Sequence, residues 1–162
     1  VLNRSAADLA SQGDAFAKAG NIVEAEKAYS KAVAKERTNV EYLRKWRDSL
    51  DQLVLPSQTL FDTKFPQYVQ VRRAIADLLR TDVDAHRDHL EYYLSLLEEA
   101  GYNRGTAEML AQRTTDALAQ FGETPEAQQP AQALRRYRGL ANIRIMLAAR
   151  NLRPQEEEAV RE

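Results

Sequence analysis

The sequence predicts an all-α protein, a stack of antiparallel helical hairpins built from about seven helices. Three observations carry this. Gly and Pro are scarce, six and five in 162 residues, against abundant Ala, Leu, Arg and Glu, which is the composition of a helical chain. Apolar residues recur at three- and four-residue spacing in one segment after another. No segment alternates with period two over a useful length, and no Asn-Gly or Asp-Gly hairpin turn occurs.

Each element follows from local signals. The first helix runs from about Ser5 to Lys18, with Leu9, Gln12, Gly13 and Phe16 on one face and Ala19-Gly20-Asn21 as stop and restart. The second, about Ile22 to Glu36, spaces Ala25, Ala28, Tyr29 and Ala32 helically. Its Glu24 and Glu26 lie near the start and Lys31 and Lys35 near the end, complementing the helix dipole. Thr38-Asn39 caps a third helix carrying Leu43, Trp46, Leu50 and Leu53. Leu55 to Lys64 reads as a longer connection, because Pro56 breaks the pattern. Pro66 then suits the first turn of a fourth helix reaching Arg80, with Val69, Ile75, Leu78 and Leu79 apolar. Thr81 or Asp82 caps a fifth helix through Ala100, ended by Gly101, and the sixth spans about Gly105 to Phe121. Gly122 to Pro130 is turn-rich. The seventh helix runs from Ala131 to about Asn151 and is expected to pack Leu134, Tyr137, Leu140, Ile143, Met146 and Leu147. The expected organisation is one helical domain over 1–153, followed by a polar tail, 154–162, either a frayed helix or disordered.

Composition removes several function classes. At 44% hydrophobic, the chain is long enough to bury a core without staples. With no cysteine, disulfides, Cys-based zinc sites, redox pairs and thiol nucleophiles are excluded. Cytoplasm and periplasm both suit such a chain, so localisation stays open. No apolar run reaches the ~20 residues that cross a bilayer. Opening on Val1, the chain is expected to be a piece of a longer protein.

Residues 6–39 hold Leu9, Gly13, Phe16, Gly20, Ala25, Tyr29 and Ala32 at fixed spacing. This segment resembles the tetratricopeptide repeat, a helix pair of 34 residues. Gly13 and Ala25 would let two backbones approach, Phe16 and Tyr29 would fill the gaps, and Gly20 would supply the tight turn. Leu9 stands where the family has a larger residue, and Arg37 where it has Pro. The next 34 residues keep the register only through Leu43, Trp46 and Leu50. A later hairpin, Leu90 to Leu118, shares the shape but little of the motif. The resemblance implies a tetratricopeptide-like α-solenoid or bundle that binds a peptide or helix in a groove lined by the first helix of each pair. The groove-side positions would be Asp14, Lys18, Arg44, Lys45 and Asp48. Ala10 and Asp14 stand where the family's carboxylate clamp would begin, which argues against that mode. For each of these residues the plainer alternative is a solvated helix face.

Candidate chemistry is sparse. His86 and His89, three apart among Asp82, Asp84, Asp88 and Glu91, have a spacing that can share a divalent metal with a further carboxylate. They do not form H-E-x-x-H, and the plainer reading is an acidic helix start. His86-Arg87-Asp88 lacks the Gly-rich loop, strand Lys and D-F-G of a kinase. Phosphate-loop, dinucleotide and nucleophile-elbow strings are absent. The sequence therefore points to no catalytic residue, metal or cofactor, and to a protein that is not an enzyme.

The formal charge of −1 is unevenly spread: +3 over 1–76, −7 over 77–126 and +3 over 127–162. Arg135, Arg136, Arg138, Arg144 and Arg150 share one helical segment without an acid. Arginines with Tyr137 interleaved can grip phosphates and stack bases. A pI near 6.2 is low for a nucleic-acid-binding domain. Pairing with the acidic middle segment or the Glu156–Glu158 run ranks first for these arginines, an acidic protein partner second, and nucleic acid or lipid third. The function expected is a non-catalytic scaffold or adaptor that binds another protein or peptide. The alternative is an accessory domain of a larger enzyme or nucleic-acid machine that contacts RNA or DNA through Arg135–Arg150. Self-association is a third reading.

Overall fold

The fold, a computed structural model, describes residues 3–99 and 101–161, with 150–161 as helical backbone only. Among the described residues it is all-helical: α1 (Ala6–Lys18), α2 (Ile22–Lys35), α3 (Val40–Val54), α4 (Gln58–Leu78), α5 (Val83–Glu99), α6 (Arg104–Leu118) and α7 (Pro125–Arg161), with no strand. The helices form two compact units, Val1–Leu79 and Arg80–Glu162. None of the described helices is long and apolar enough to cross a membrane.

In the first unit each helix packs on the next, α1 on α2, α2 on α3 and α3 on α4. Ser5 and Asp8 close a reciprocal capping box, with Asp8 N–H donating to Ser5 Oγ at 3.1 Å. Asn21 and Asn39 accept from the N–H groups of Glu24 and Tyr42 at 3.3 and 3.2 Å. Gly20 ends α1 at φ +81°, a conformation that glycine adopts without steric penalty. Ala25, Ala32, Leu43, Leu50, Val71 and Ile75 form the centre of the unit. On α3, Val54 is buried and Leu53 half-buried, so Val54 takes the position expected of its neighbour. Buried Glu26 on α2 accepts from Trp46 Nε1 on α3 at 3.1 Å and pairs with Lys64 on α4 at 3.5 Å. Arg72 on α4 grips Asp51 on α3 at 2.6 and 2.8 Å and lies 3.7 Å above the Tyr68 ring.

The fourth helix begins eight residues before the expected Pro66 start, at Gln58, and Pro66 lies inside it. Ser57 is the signal the sequence reading passed over: its Oγ accepts from Leu60 N–H at 3.3 Å. An interior proline removes one backbone bond and crowds the preceding turn. A ladder along α4 bridges the defect, Phe61 to Phe65 at 6.1 Å and Phe61 to Tyr68 at 5.2 Å between ring centroids. Of the apolar residues of this helix, Ile75 is buried and Leu78 is 38% exposed.

The second unit is a three-helix bundle in which α5, α6 and α7 all pack on one another around Leu90, Leu97, Leu110 and Leu134. Asp82 Oδ1 accepts from Ala85 N–H at 3.1 Å, and Asn103 Oδ1 from Thr106 N–H at 3.0 Å. Gly101 has φ +81°. Ala100, the expected last residue of the fifth helix, lies outside the described residues. The seventh helix starts at Pro125 rather than Ala131, because Thr124 caps it and Pro125 occupies a position where no N–H is needed. The turn expected over 122–130 therefore shortens to Gly122–Thr124, and the backbone stays helical to Arg161.

A further correction concerns the core face of α7. Leu134, Tyr137 and Ala141 are buried, whereas Ile143, Met146 and Leu147, expected to pack, are 48%, 56% and 48% exposed. The apolar spacing was read as one stripe. On a helix of 3.6 residues per turn the second trio falls about half a turn from the first.

Candidate protein-binding face

The geometry of α1 and α3 follows from one small residue. Gly13 leaves room that the Tyr29 ring fills: a Cβ at position 13 would stand 2.5 Å from Tyr29 Cε1. This close fit carries the Tyr29 hydroxyl past α1, where it donates to Asp14 Oδ1 at 2.6 Å. Lys45 reaches the same carboxylate from α3, its Nζ donating to Oδ1 at 3.0 Å and Oδ2 at 2.9 Å, and lies 3.6 Å from Glu41. One carboxylate thus fastens three helices.

The charges respond accordingly. Partial burial works against ionised Asp14, but the bonds from Tyr29 and Lys45 outweigh it and hold the carboxyl below its ordinary value. The Lys45 ammonium is raised, chiefly by its bond to Asp14. The Tyr29 hydroxyl is pushed well up, first by burial and then by the adjacent carboxylate.

Of the five groove-side positions, the structure brings Asp14 and Lys45 together as partners of each other. Lys18 lies one turn beyond Asp14 on the same face of α1. Lys18 and Arg44 are exposed and make no ion pair among the described residues. Asp48 is exposed and receives both Arg47 nitrogens at 3.0 and 3.1 Å. The tie from Tyr29 was missed at the sequence level. Its signal is Gly13 beside Asp14 on α1, together with Tyr29 on α2, an aromatic with a hydroxyl that the glycine lets approach.

In the second unit, Arg135, Arg136 and Arg144 are exposed and Arg138 half-buried. None forms an ion pair among the described residues, although Arg136 shares a cleft with Asp84, Asp88 and Glu91 of the acidic middle segment. Arg135 donates to Gln128, and the Arg150 side chain lies outside what is described. Tyr137 OH instead donates to Glu91 Oε2 at 2.6 Å and ties α7 to α5. Burial and that bond raise its pKa, against the lowering effect of Arg87. The two histidines are inside the unit. His86 Nε2 lies 2.7 Å from the Arg80 carbonyl with its ring near Phe121, and His89 meets the Tyr93 ring edge-on at 5.7 Å. Among the described residues no three His, Cys, Asp or Glu side chains group as metal ligands would. No protein-family model matches the chain, and no curated protein is significantly similar to it.

Proposed function

We propose that this chain is a non-catalytic protein-binding module, tetratricopeptide-like in its first unit, that receives a peptide or helix of another protein on the face shared by α1 and α3. The observation that carries this reading is the three-way tie of Asp14 to Tyr29 and Lys45. It fixes the two helices together while Lys18 and Arg44 stay solvated and unpaired among the described residues. A preorganised face loses less entropy on binding than one that must be assembled. In this reading Asp14 and Lys45 position the face, Lys18 and Arg44 meet acidic groups on the partner, and Asp48 borders them. Rim cations of this kind act on association rate and orientation more than on affinity.

The test is capture of a partner by the 162-residue chain, with and without nuclease, beside the double variant Lys18→Glu/Arg44→Glu. The expected result is a protein partner that survives nuclease and is lost or weakened several-fold in the variant. Unchanged capture by the variant removes the α1/α3 face from the reading.

A second reading rests on a different observation, the absence of ion pairs at Arg135, Arg136, Arg138 and Arg144 among the described residues. It makes the chain an accessory domain contacting RNA or DNA through α7. Binding led by phosphates weakens steeply with salt, and it would disappear on nuclease treatment.

A further inference from the structure

The geometry points to a second binding site, a cationic cleft in the first unit: we infer that it takes a small organic phosphate. The cleft lies between the start of α1 and the last turns of α2 and holds about 510 Å³, within the range of small-ligand pockets. Arg4, Lys31 and Lys35 line it, and none of its lining residues is acidic. Buried Leu9 and the Ala34 methyl supply an apolar wall. By helical period, Leu9 and Gln12 lie on the side of α1 opposite Asp14 and Lys18, so the cleft is separate from the α1/α3 face.

Neutral groups, not acids, hold two of these cations in place. Arg4 reaches forward along α1 to donate to Gln12 Oε1, and Lys35 Nζ crosses from α2 to Asn3 Oδ1 at 3.0 Å. A carboxamide oxygen orients a cation without neutralising it. Lys31, one turn before Lys35 on α2, makes no hydrogen bond or ion pair among the described residues. The acids adjacent to the lining residues in sequence are engaged: Asp8 accepts from Ser5 N–H at 3.4 Å and Glu36 from Asn39 Nδ2 at 3.0 Å. Lys35 suits the C-terminal turn of α2, where the helix dipole favours a cation. Arg4 has no such explanation, because it precedes the Ser5 cap of α1, the end at which the dipole disfavours positive charge.

A cleft lined by one sign of charge focuses its field and concentrates counter-ions within it. The number of cations selects the class of ion. A phosphate ester carries close to two negative charges and three strong acceptor oxygens, one for each of Arg4, Lys31 and Lys35. A carboxylate offers only two oxygens. The planar Arg fork and the Lys point charge are both phosphate donors. The cleft has room for more than a bare phosphate ion, and Leu9 and Ala34 offer the organic part of a ligand an apolar wall. The cations reach one volume from two helices rather than forming a row along one. That arrangement suits a compact ligand better than an extended acidic peptide.

The probe is glucose 6-phosphate, titrated into the 162-residue chain beside glucose, citrate and a hexaglutamate peptide, with backbone amide shifts followed by heteronuclear NMR. The expected result is saturable shifts at positions 4–12 and 31–35 with glucose 6-phosphate, none with glucose, and weaker binding of citrate and the peptide. Binding should weaken as salt is raised, because all three cations are exposed. Lys31→Gln/Lys35→Gln keeps helix propensity and should raise the dissociation constant about tenfold, the scale of a lost charge-assisted hydrogen bond, with helicity by circular dichroism unchanged. Arg4→Gln should raise it several-fold. Lys18→Glu/Arg44→Glu should leave the titration as it is, so failure of this site and failure of the α1/α3 face are told apart. No saturable shift with glucose 6-phosphate overturns the inference. So does a dissociation constant indifferent to Lys31→Gln/Lys35→Gln, or citrate or hexaglutamate binding the cleft as tightly as the phosphate ester.

Discussion

At the scale of single residues, two glycines resist substitution for opposite reasons. Position 13 has an ordinary helical backbone but no space, since a Cβ would overlap the Tyr29 ring at 2.5 Å. Position 20 has open space around it but a φ of +81°. Gly13→Ala should therefore destabilise the first unit by about 1–3 kcal/mol, the scale of overpacking. It should also loosen the Tyr29 hydroxyl from Asp14. Gly20→Ala should cost about 1–2 kcal/mol through backbone strain alone. Urea denaturation measures both, and ring resonances of Tyr29 should shift only in the first. An ordinary exposed helical glycine would respond the other way, gaining roughly 1 kcal/mol on conversion to alanine.

Asp14 gives the same unit a pH dependence with a definite sign. Its carboxyl is lowered in the folded state, so its contribution is present above the usual carboxylate pKa and is lost as pH falls through the lower, folded value. Lys45 and Tyr29 are raised. Their contributions are complete below their ordinary values, near 10, and are lost as pH rises from there through the raised, folded values. Stability should be level around neutrality and fall at both extremes. Asp14→Asn should flatten the acid limb and cost about 1 kcal/mol at pH 7, a modest figure because the carboxylate is about half exposed to water. An acid limb unchanged in Asp14→Asn would show that the tie contributes nothing.

At the scale of elements, the starts of α1, α2, α3 and α5 were legible, where a side chain caps the helix and no proline intervenes. Ser5, Asn21, Asn39 and Asp82 announce α1, α2, α3 and α5, and each accepts the expected backbone N–H. The reading failed where proline was given too much weight. Pro66 suits a first turn, but Ser57 begins α4 well before it, and the aromatic ladder holds the helix across the missing bond. Pro130 likewise hid the start at Pro125. The Pro66 ring is exposed, so Pro66→Ala restores a backbone bond without opening a cavity. It should stabilise the first unit by about 1–3 kcal/mol, read as a higher urea midpoint at unchanged slope. A loss of stability would mean that the proline shapes α4 rather than weakens it. Helical period, applied strictly, separates the core face of α7 from its second apolar face: Ile143 and Met146 fall about half a turn from Leu134 and Tyr137, so their apolar character alone does not place them in the core.

At the scale of the molecule, the all-helical class was fully legible, because composition, period and turn signals agree. The five positions of the proposed face were named from the sequence, but the contact between two of them was not. The resemblance of residues 6–39 to a tetratricopeptide repeat brought Asp14, Lys18, Arg44, Lys45 and Asp48 to notice. It could not reveal that Asp14 and Lys45 engage each other, since that contact depends on how closely Gly13 lets Tyr29 approach. The proposed division of labour on this face, with Asp14 and Lys45 positioning and Lys18 and Arg44 offered to a partner, is what makes the binding proposal specific. The most direct measurement is therefore partner capture at moderate salt after nuclease treatment. It compares the unaltered chain with Lys18→Glu/Arg44→Glu and with Arg135→Glu/Arg136→Glu. A protein partner retained by the α7 variant and lost from the α1/α3 variant is the result predicted. Capture that vanishes with nuclease, or fails only in the α7 variant, would contradict it and move function to the arginines of α7.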